Sequence, residues 1–400
     1  MEYDFDRVIE RRNTNCTKWD RVGELFNRQD ALPLWVADMD FPVPKAVVEA
    51  IKERANHPIY GYSYPPESLY ETIVDWARRH YGWEIRKEWI IFTGGVIEGL
   101  QSAIQAFTRP GDEVVVQPPV YYPFYRAIKH SGCQIVYNPL KLDNGRYTMD
   151  LEGLKHLFVG RQTFPIHQPR IKMLILCSPH NPVGRVWTRD ELTRLADICI
   201  NNNVILVSDE LHCDLLFHDA RHTVAATLSE EVAQRTITFM GASKSFNLAG
   251  LATSYAIIPN PELRQRLLEV RAVRNSGNLF GWVAMEAAYR YGDDYLTELR
   301  QYLNGNLDFF IDYINTRIPE LRVIRPEGTY LCWVDMRGLG LEPLELQNFI
   351  RNEARLALDD GFAFGPGGEG FQRFNLACPR SILAEALGRL EAAVEKLLRK

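Results

Sequence analysis

The chain has 400 residues, 46% of them apolar and 24% charged, with a formal net charge of −5. These are the proportions of an ordinary globular protein, and the length suggests roughly two to three domains. So mild an acidity gives no electrostatic reason to expect nucleic acid or an anionic membrane as partner, and no uncharged apolar run approaches the length of a membrane helix.

The first residues, Met1-Glu2-Tyr3-Asp4-Phe5-Asp6-Arg7, are charged and lack the apolar run of a signal peptide. Seven short apolar runs follow between residues 90 and 258: 90–92, 114–116, 134–137, 173–177, 204–208, 236–240 and 255–258. Their length and β-branching predict buried strands. Helical patterns separate several of them; one starts at Thr188, where Thr188 and Glu191 form a capping box. The alternation predicts an α/β domain with a mostly parallel sheet. Residues 158–170 hold two prolines and little periodicity, which reads as a surface loop. Residues 261–317 read as long helices interrupted by a loop at 275–278. Residues 321–400 read as strand, helix, strand, helix, ending in an amphipathic segment at 382–398. The expected organisation is a large α/β domain over residues 46–289 and a smaller α+β domain formed by 1–45 with 290–400. The seven cysteines are scattered without a CxxC pair, as expected of small buried thiols in a reducing cytoplasm.

Residues with chemical potential follow strand ends, where open α/β sheets bind ligands. Gly94 and Gly95 open a helix after the first run and can bring backbone N–H groups to a phosphate; a tight turn explains them equally well. Tyr121 lies in the Pro-rich stretch after 114–116 and can stack on a flat ring or pack on its own core. Asn181 sits between Pro179 and Pro182, held toward a ligand oxygen or part of a turn. Asp209 ends a buried strand, where a carboxylate needs a partner such as a protonated pyridine nitrogen. The spacing of Asp209, Glu210 and His212 fits no common metal site, and Asp38-Met39-Asp40 is discounted on the same ground, so no metal is expected. Lys244 stands among small and hydroxyl residues in Gly241-Ala242-Ser243-Lys244-Ser245, just past a strand. Desolvation there favours the neutral, nucleophilic amine; the alternative is a surface lysine on a Ser-rich turn. Arg373 follows a Gly-rich loop that lacks a P-loop ending. It offers a carboxylate a bidentate fork, or is solvated.

With Asn181, Asp209, Lys244 and Arg373 in this order, the chain resembles the pyridoxal-phosphate enzymes of fold type I, the aspartate aminotransferase superfamily. Within it the sequence is most similar to the MalY/PatB-type cystathionine β-lyases, or C–S lyases. The carrying stretches are 32–41, 61–63, 115–121, 179–182, 208–212, 243–251 and 365–371. The resemblance implies a seven-stranded, mostly parallel sheet and a homodimer. It makes Lys244 the covalent anchor of pyridoxal 5'-phosphate and the general base. Asp209 would pair with the pyridine N–H, with His212 orienting it, and Asn181 would bond the phenolic oxygen. Tyr121 would stack on the ring. The backbone at Gly95 and Val96 would cradle the phosphate with Ser243, and Tyr62 would reach in from a second subunit. Arg373 would bind the substrate carboxylate with Asn181 and the backbone near Ala37. Lys244 or Tyr121 would protonate the leaving sulfur. The implied reaction cleaves L-cystathionine or related cysteine S-conjugates to a thiol, pyruvate and ammonia. Related aminotransferases usually carry arginine eight residues after the lysine, where this chain has Ala252, and many have serine where it has Gly241. The alternatives are a class I/II aminotransferase or, from another class, a regulatory protein acting through a binding partner.

Overall fold

The seven apolar runs pair into one sheet in the computed structural model, which describes residues 3–162, 170–271 and 276–399. The strands are β1 (Ile90–Thr93), β2 (Glu113–Val116), β3 (Gln134–Tyr137), β4 (Ile171–Cys177), β5 (Ile205–Asp209), β6 (Thr236–Met240) and β7 (Ser254–Ile257), in the spatial order β1-β7-β6-β5-β4-β2-β3. Only β7 runs against its neighbours; the other pairs are parallel. β2 and β6 are buried along their whole length, as a parallel sheet covered on both faces requires. The pleat divides β4 between two cores: Leu174 and Leu176 pack into one, Met173, Ile175 and Cys177 into the other. The helix Val96–Phe107 lies close on the second face, where a Cβ at Gly99 would come within 2.5 Å of the Phe239 ring.

The capping box at Thr188 and Glu191 opens the helix Arg189–Asn201. The stretch expected as a loop over 158–170 is helical at its start, because the helix Leu151–Gln162 runs through Phe158. Leu151, Leu154 and Phe158 form its buried stripe, and that i, i+3, i+7 spacing carries the helix past the predicted boundary. Residues 163–169 of that stretch, and Asn275 of the loop at 275–278, lie outside the described residues. Beyond the latter, Asn278 caps the helix Leu279–Tyr291 by accepting from Gly281 N at 2.9 Å.

The C-terminal part is richer in strands than its sequence pattern predicts. A four-stranded antiparallel sheet takes the order Arg322–Ile324, Leu331–Asp335, Phe371–Asn375, Asp359–Asp360, so two strands precede the helix Pro343–Asn348. The helices Asp293–Arg317 and Arg380–Leu398 pack together. Leu32–Pro33 pairs in parallel with Leu356–Ala357 and ties the N-terminal arm to this region. Among the described residues, no helix is long and apolar enough to cross a membrane.

The arm carries a buried ion network. Lys18, with no exposed surface, donates to Asp40 Oδ2 at 2.6 Å. Arg11 bonds Asp38 at 2.7 Å and Asp40 at 2.6 Å, and Trp19 Nε1 donates to Asp40 at 2.9 Å. Burial alone would raise the Asp40 carboxyl, but the Lys18 ammonium and its other donors hold it below the usual range. The Asp38-Met39-Asp40 carboxylates therefore serve cations of the chain itself. Lys18→Met leaves Asp40 buried with half its compensation. It is expected to cost about 3 kcal/mol, read as a lower midpoint in thermal or urea unfolding; an unchanged midpoint would show that the network adds nothing to stability.

Candidate active site

The parallel strands bring their C-terminal ends to one side of the sheet, and a cavity of about 270 Å³ opens there. β1 leads into Gly94, Gly95 and Val96 at the start of the helix Val96–Phe107. β4 leads to Cys177 and Asn181, β5 ends at Asp209, and β6 leads to Ser243 and Lys244; all of these line the cavity. Tyr121, from the segment after β2, completes the wall with Ala37 and His212.

Lys244 Nζ donates to the Ala37 carbonyl at 2.5 Å. Burial lowers its pKa from 10.5 to about 8, against the pull of the nearby Asp38 carboxylate. Asp209 is driven the other way: burial raises it to about 7, opposed by the Leu211 N–H, which donates to Oδ1 at 3.2 Å, and by Lys244. Burial drives His212 well below the ordinary imidazole value, so its ring is neutral at neutral pH. The structure does not join His212, the residue expected to orient Asp209, to that carboxylate. No hydrogen bond joins them among the described residues; Leu211 N holds Asp209, and His212 Nδ1 has no partner. Burial also raises the Tyr121 hydroxyl above its ordinary range, so it stays protonated.

Arg373, 2% exposed, donates Nη1 to Asn181 Oδ1 at 3.0 Å and Nη2 to the Trp35 carbonyl at 2.6 Å, and pairs with Asp359. Two contributors were not anticipated. Tyr330 donates to the Ala37 carbonyl at 2.8 Å, and Asp359 shares the guanidinium of Arg373. Both come from the C-terminal sheet region, far along the chain, and no local motif marks them. Tyr62 is fully exposed and does not line this chain's own cavity.

These residues fit pyridoxal phosphate. Gly95 has φ +138°, a conformation that side chains disfavour, and no atom lies within 4 Å of where its Cβ would stand. Its backbone therefore opens on space at a helix N-terminus, where free N–H groups and the helix dipole favour a phosphate. Asp209 is a buried carboxylate that lines the same cavity, where an N–H donor would give it a partner. Ala252, in the left-handed region at φ 44°, also faces the cavity and supplies no cation. A Cβ on Gly241 would come within 3.0 Å of Ser254 Cβ, so the glycine suits the packing beside β7. A roomier cleft of about 570 Å³ lies elsewhere, but its Arg146, Arg185 and Arg325 are paired with Glu327, Glu191 and Asp308.

The sheet order, the lysine after β6 and the carboxylate ending β5 define the fold of the type I pyridoxal-phosphate enzymes. The chain belongs to the aminotransferase class I and II family, whose model matches residues 29–390. It is 40% identical to cystathionine beta-lyase PatB of Bacillus subtilis strain 168, over 98% of this chain and 99% of that protein. It is 32% identical to the protein MalY of Escherichia coli K12, over 98% and 99%. The crystal structure of cystalysin from Treponema denticola, which contains a pyridoxal 5'-phosphate cofactor, matches with a TM-score of 0.93 at 37% identity, covering 99% of this chain and 100% of that one.

Only the neutral amine is nucleophilic, and its fraction rises as pH passes the pKa. In the cofactor-free protein, labelling of Lys244 by a small amine-selective acylating reagent, followed by peptide mass spectrometry, is expected to rise with a midpoint near 8. A midpoint near 10.5 would show that the amine is solvated.

Proposed function

We propose that the chain is a pyridoxal-phosphate-dependent carbon–sulfur β-lyase, cleaving L-cystathionine and related cysteine S-conjugates to a thiol, pyruvate and ammonia. The observation that carries this reading is the pairing of a lysine of pKa about 8 with a buried carboxylate across one cavity. The 40% identity to a cystathionine beta-lyase over nearly the whole chain supports the reaction type.

The cofactor, when bound, supplies the electron sink for the pair left on the substrate Cα. Lys244 would anchor it and Asp209 would hold its pyridine N–H. Asn181 would bond its phenolic oxygen and Tyr121 would cover its ring. Ser243 and the N–H groups at Gly95 and Val96 would hold its phosphate. The remaining chemistry belongs to side chains. Arg373 binds the substrate α-carboxylate, beside the Ala37 and Trp35 backbone that it and Lys244 already touch. The neutral Lys244 Nζ takes the Cα proton. Burial lowers Lys244 and raises the Tyr121 hydroxyl, so of these two the Lys244 ammonium is the stronger acid, and we assign it the return of the proton to the departing sulfur.

An aminotransferase would use most of the same set. Ala252 favours the lyase, since it presents a methyl group where resembling aminotransferases present arginine. A homodimer is the assembly we assign. Ile59, Tyr60, Tyr62 and Tyr64 are all exposed on one short segment, an apolar run suited to a partner subunit, and it would carry Tyr62 to the partner's cavity. Seven free cysteines among the described residues, six of them buried, support a reducing cytoplasm.

The purified, cofactor-loaded protein is expected to release pyruvate and homocysteine from L-cystathionine in equal amounts. Conversion of the cofactor to its amine form without pyruvate would support the aminotransferase instead. Lys244→Ala is expected to bind cofactor noncovalently and to lose turnover. Asp209→Asn should lower kcat by about 10²–10³; wild-type turnover in either variant, without added amine, would contradict the assignment.

A further inference from the structure

The helix end that would hold the phosphate carries a carboxylate of its own. Glu98 is the third residue of the helix Val96–Phe107 and lines the active-site cavity with Gly94, Gly95 and Val96. Its Oε2 accepts the Gly94 N–H at 3.1 Å, and its Oε1 accepts from Ser102 Oγ at 3.0 Å. An acidic side chain is at home in the first turn of a helix, where it meets the dipole and the free N–H groups. A bound phosphate draws on the same dipole, so the two anions would share one helix end.

The cavity wall has little to set against them. Among the described residues that line it, Glu98 and Asp209 are acidic, Lys244 is the one lysine and there is no arginine; Ala252 adds no charge. A phosphate monoester brings a further charge of about −1.5 to −2 near neutral pH. The compensating cation stands behind the wall. Arg271, 5% exposed, lies in the helix Pro261–Arg271, which packs on the helix Val96–Phe107. Its Nη1 donates to both oxygens of Glu98, at 2.7 and 2.5 Å, and Arg271 itself does not line the cavity. A buried guanidinium needs its carboxylate as much as a carboxylate beside a phosphate needs its cation.

We infer that the Glu98–Arg271 pair sets how tightly this chain holds the cofactor's phosphate, with Arg271 as the cation of a cradle whose wall has no arginine. Arg271 works through Glu98, whose charge it offsets, and is a positioning residue. Glu98 holds the turn at Gly94 and leaves the N–H groups of Gly95 and Val96 to the phosphate. By itself its carboxylate would repel that group; joined to Arg271 it is half of a neutral pair. The inference rests on the pyridoxal-phosphate reading of the site and adds to it two residues that no motif marked.

The test compares dissociation constants for pyridoxal phosphate and for pyridoxal, which has the same ring and aldehyde and no phosphate. Both are read from the visible absorption of the full chain, stripped of cofactor and titrated with either aldehyde. Wild type is expected to prefer pyridoxal phosphate. Glu98→Gln should raise that preference about tenfold and Arg271→Met should lower it about tenfold. The double variant, neutral at both positions, should return to within about threefold of wild type. If the pair only braces the glycine turn, every variant weakens both aldehydes together and the preference stays fixed, which would overturn the inference. Glu98→Gln keeps the shape of a partly exposed side chain, so it holds the test open should Arg271→Met fold poorly; an unmoved preference there also counts against the pair. Binding of both aldehydes with unmoved preferences removes the inference alone, whereas no binding of either by wild type removes the cofactor reading with it.

Discussion

Lys244, Arg373 and several residues beside them bond to one irregular stretch of backbone, residues 35–41. Arg373 holds the Trp35 carbonyl, Asn375 those of Val36 and Asp38, and Lys244 and Tyr330 that of Ala37. Asn247, three residues past the lysine, bonds the Met39 N–H and the carbonyls of Met39 and Phe41. Arg11 and Lys18 clamp Asp38 and Asp40 from the other side. A segment without helix or strand partners must satisfy its backbone polar groups elsewhere, and here it does so with the side chains that surround the chemistry. The segment after β6, the C-terminal sheet region and the N-terminal arm therefore meet at the carbonyl that receives Lys244.

The electrostatics of the cavity are those of a site prepared for a charged, flat guest. Burial moves Asp209 up to about 7 and Lys244 down to about 8, leaving both near neutrality without a full compensating charge. A ring bearing an N–H cation at one end and a phosphate at the other would meet Asp209 at the first and the glycine-opened helix end at the second. Perturbed groups of this kind, gathered in one concave site, are what catalysis near pH 7 requires. A neutral His212 beside them adds no competing charge.

The sheet was legible in the sequence because its strands, the exposed edge strand β3 aside, are buried on both faces and read as apolar runs. The pocket residues were legible because they follow those runs directly: Asp209 closes one strand, while Asn181 and Lys244 stand a few residues past two others, and all three face one cavity. The arm was not. Lys18 sits in a short polar stretch indistinguishable from a solvated helix, and only the fold reveals that Asp40 buries it. Tyr330 was equally silent, since its contact with Ala37 spans 293 residues, and so was Asp359, which meets Arg373 only through the pairing of two strands in the C-terminal sheet.

The central claim is that Lys244 is the cofactor's covalent anchor. Borohydride reduction of the pyridoxal-phosphate-loaded protein, followed by peptide mapping, tests it most directly. The account predicts a single phosphopyridoxyl adduct, on Lys244. An adduct on another lysine, or none at all, would contradict it.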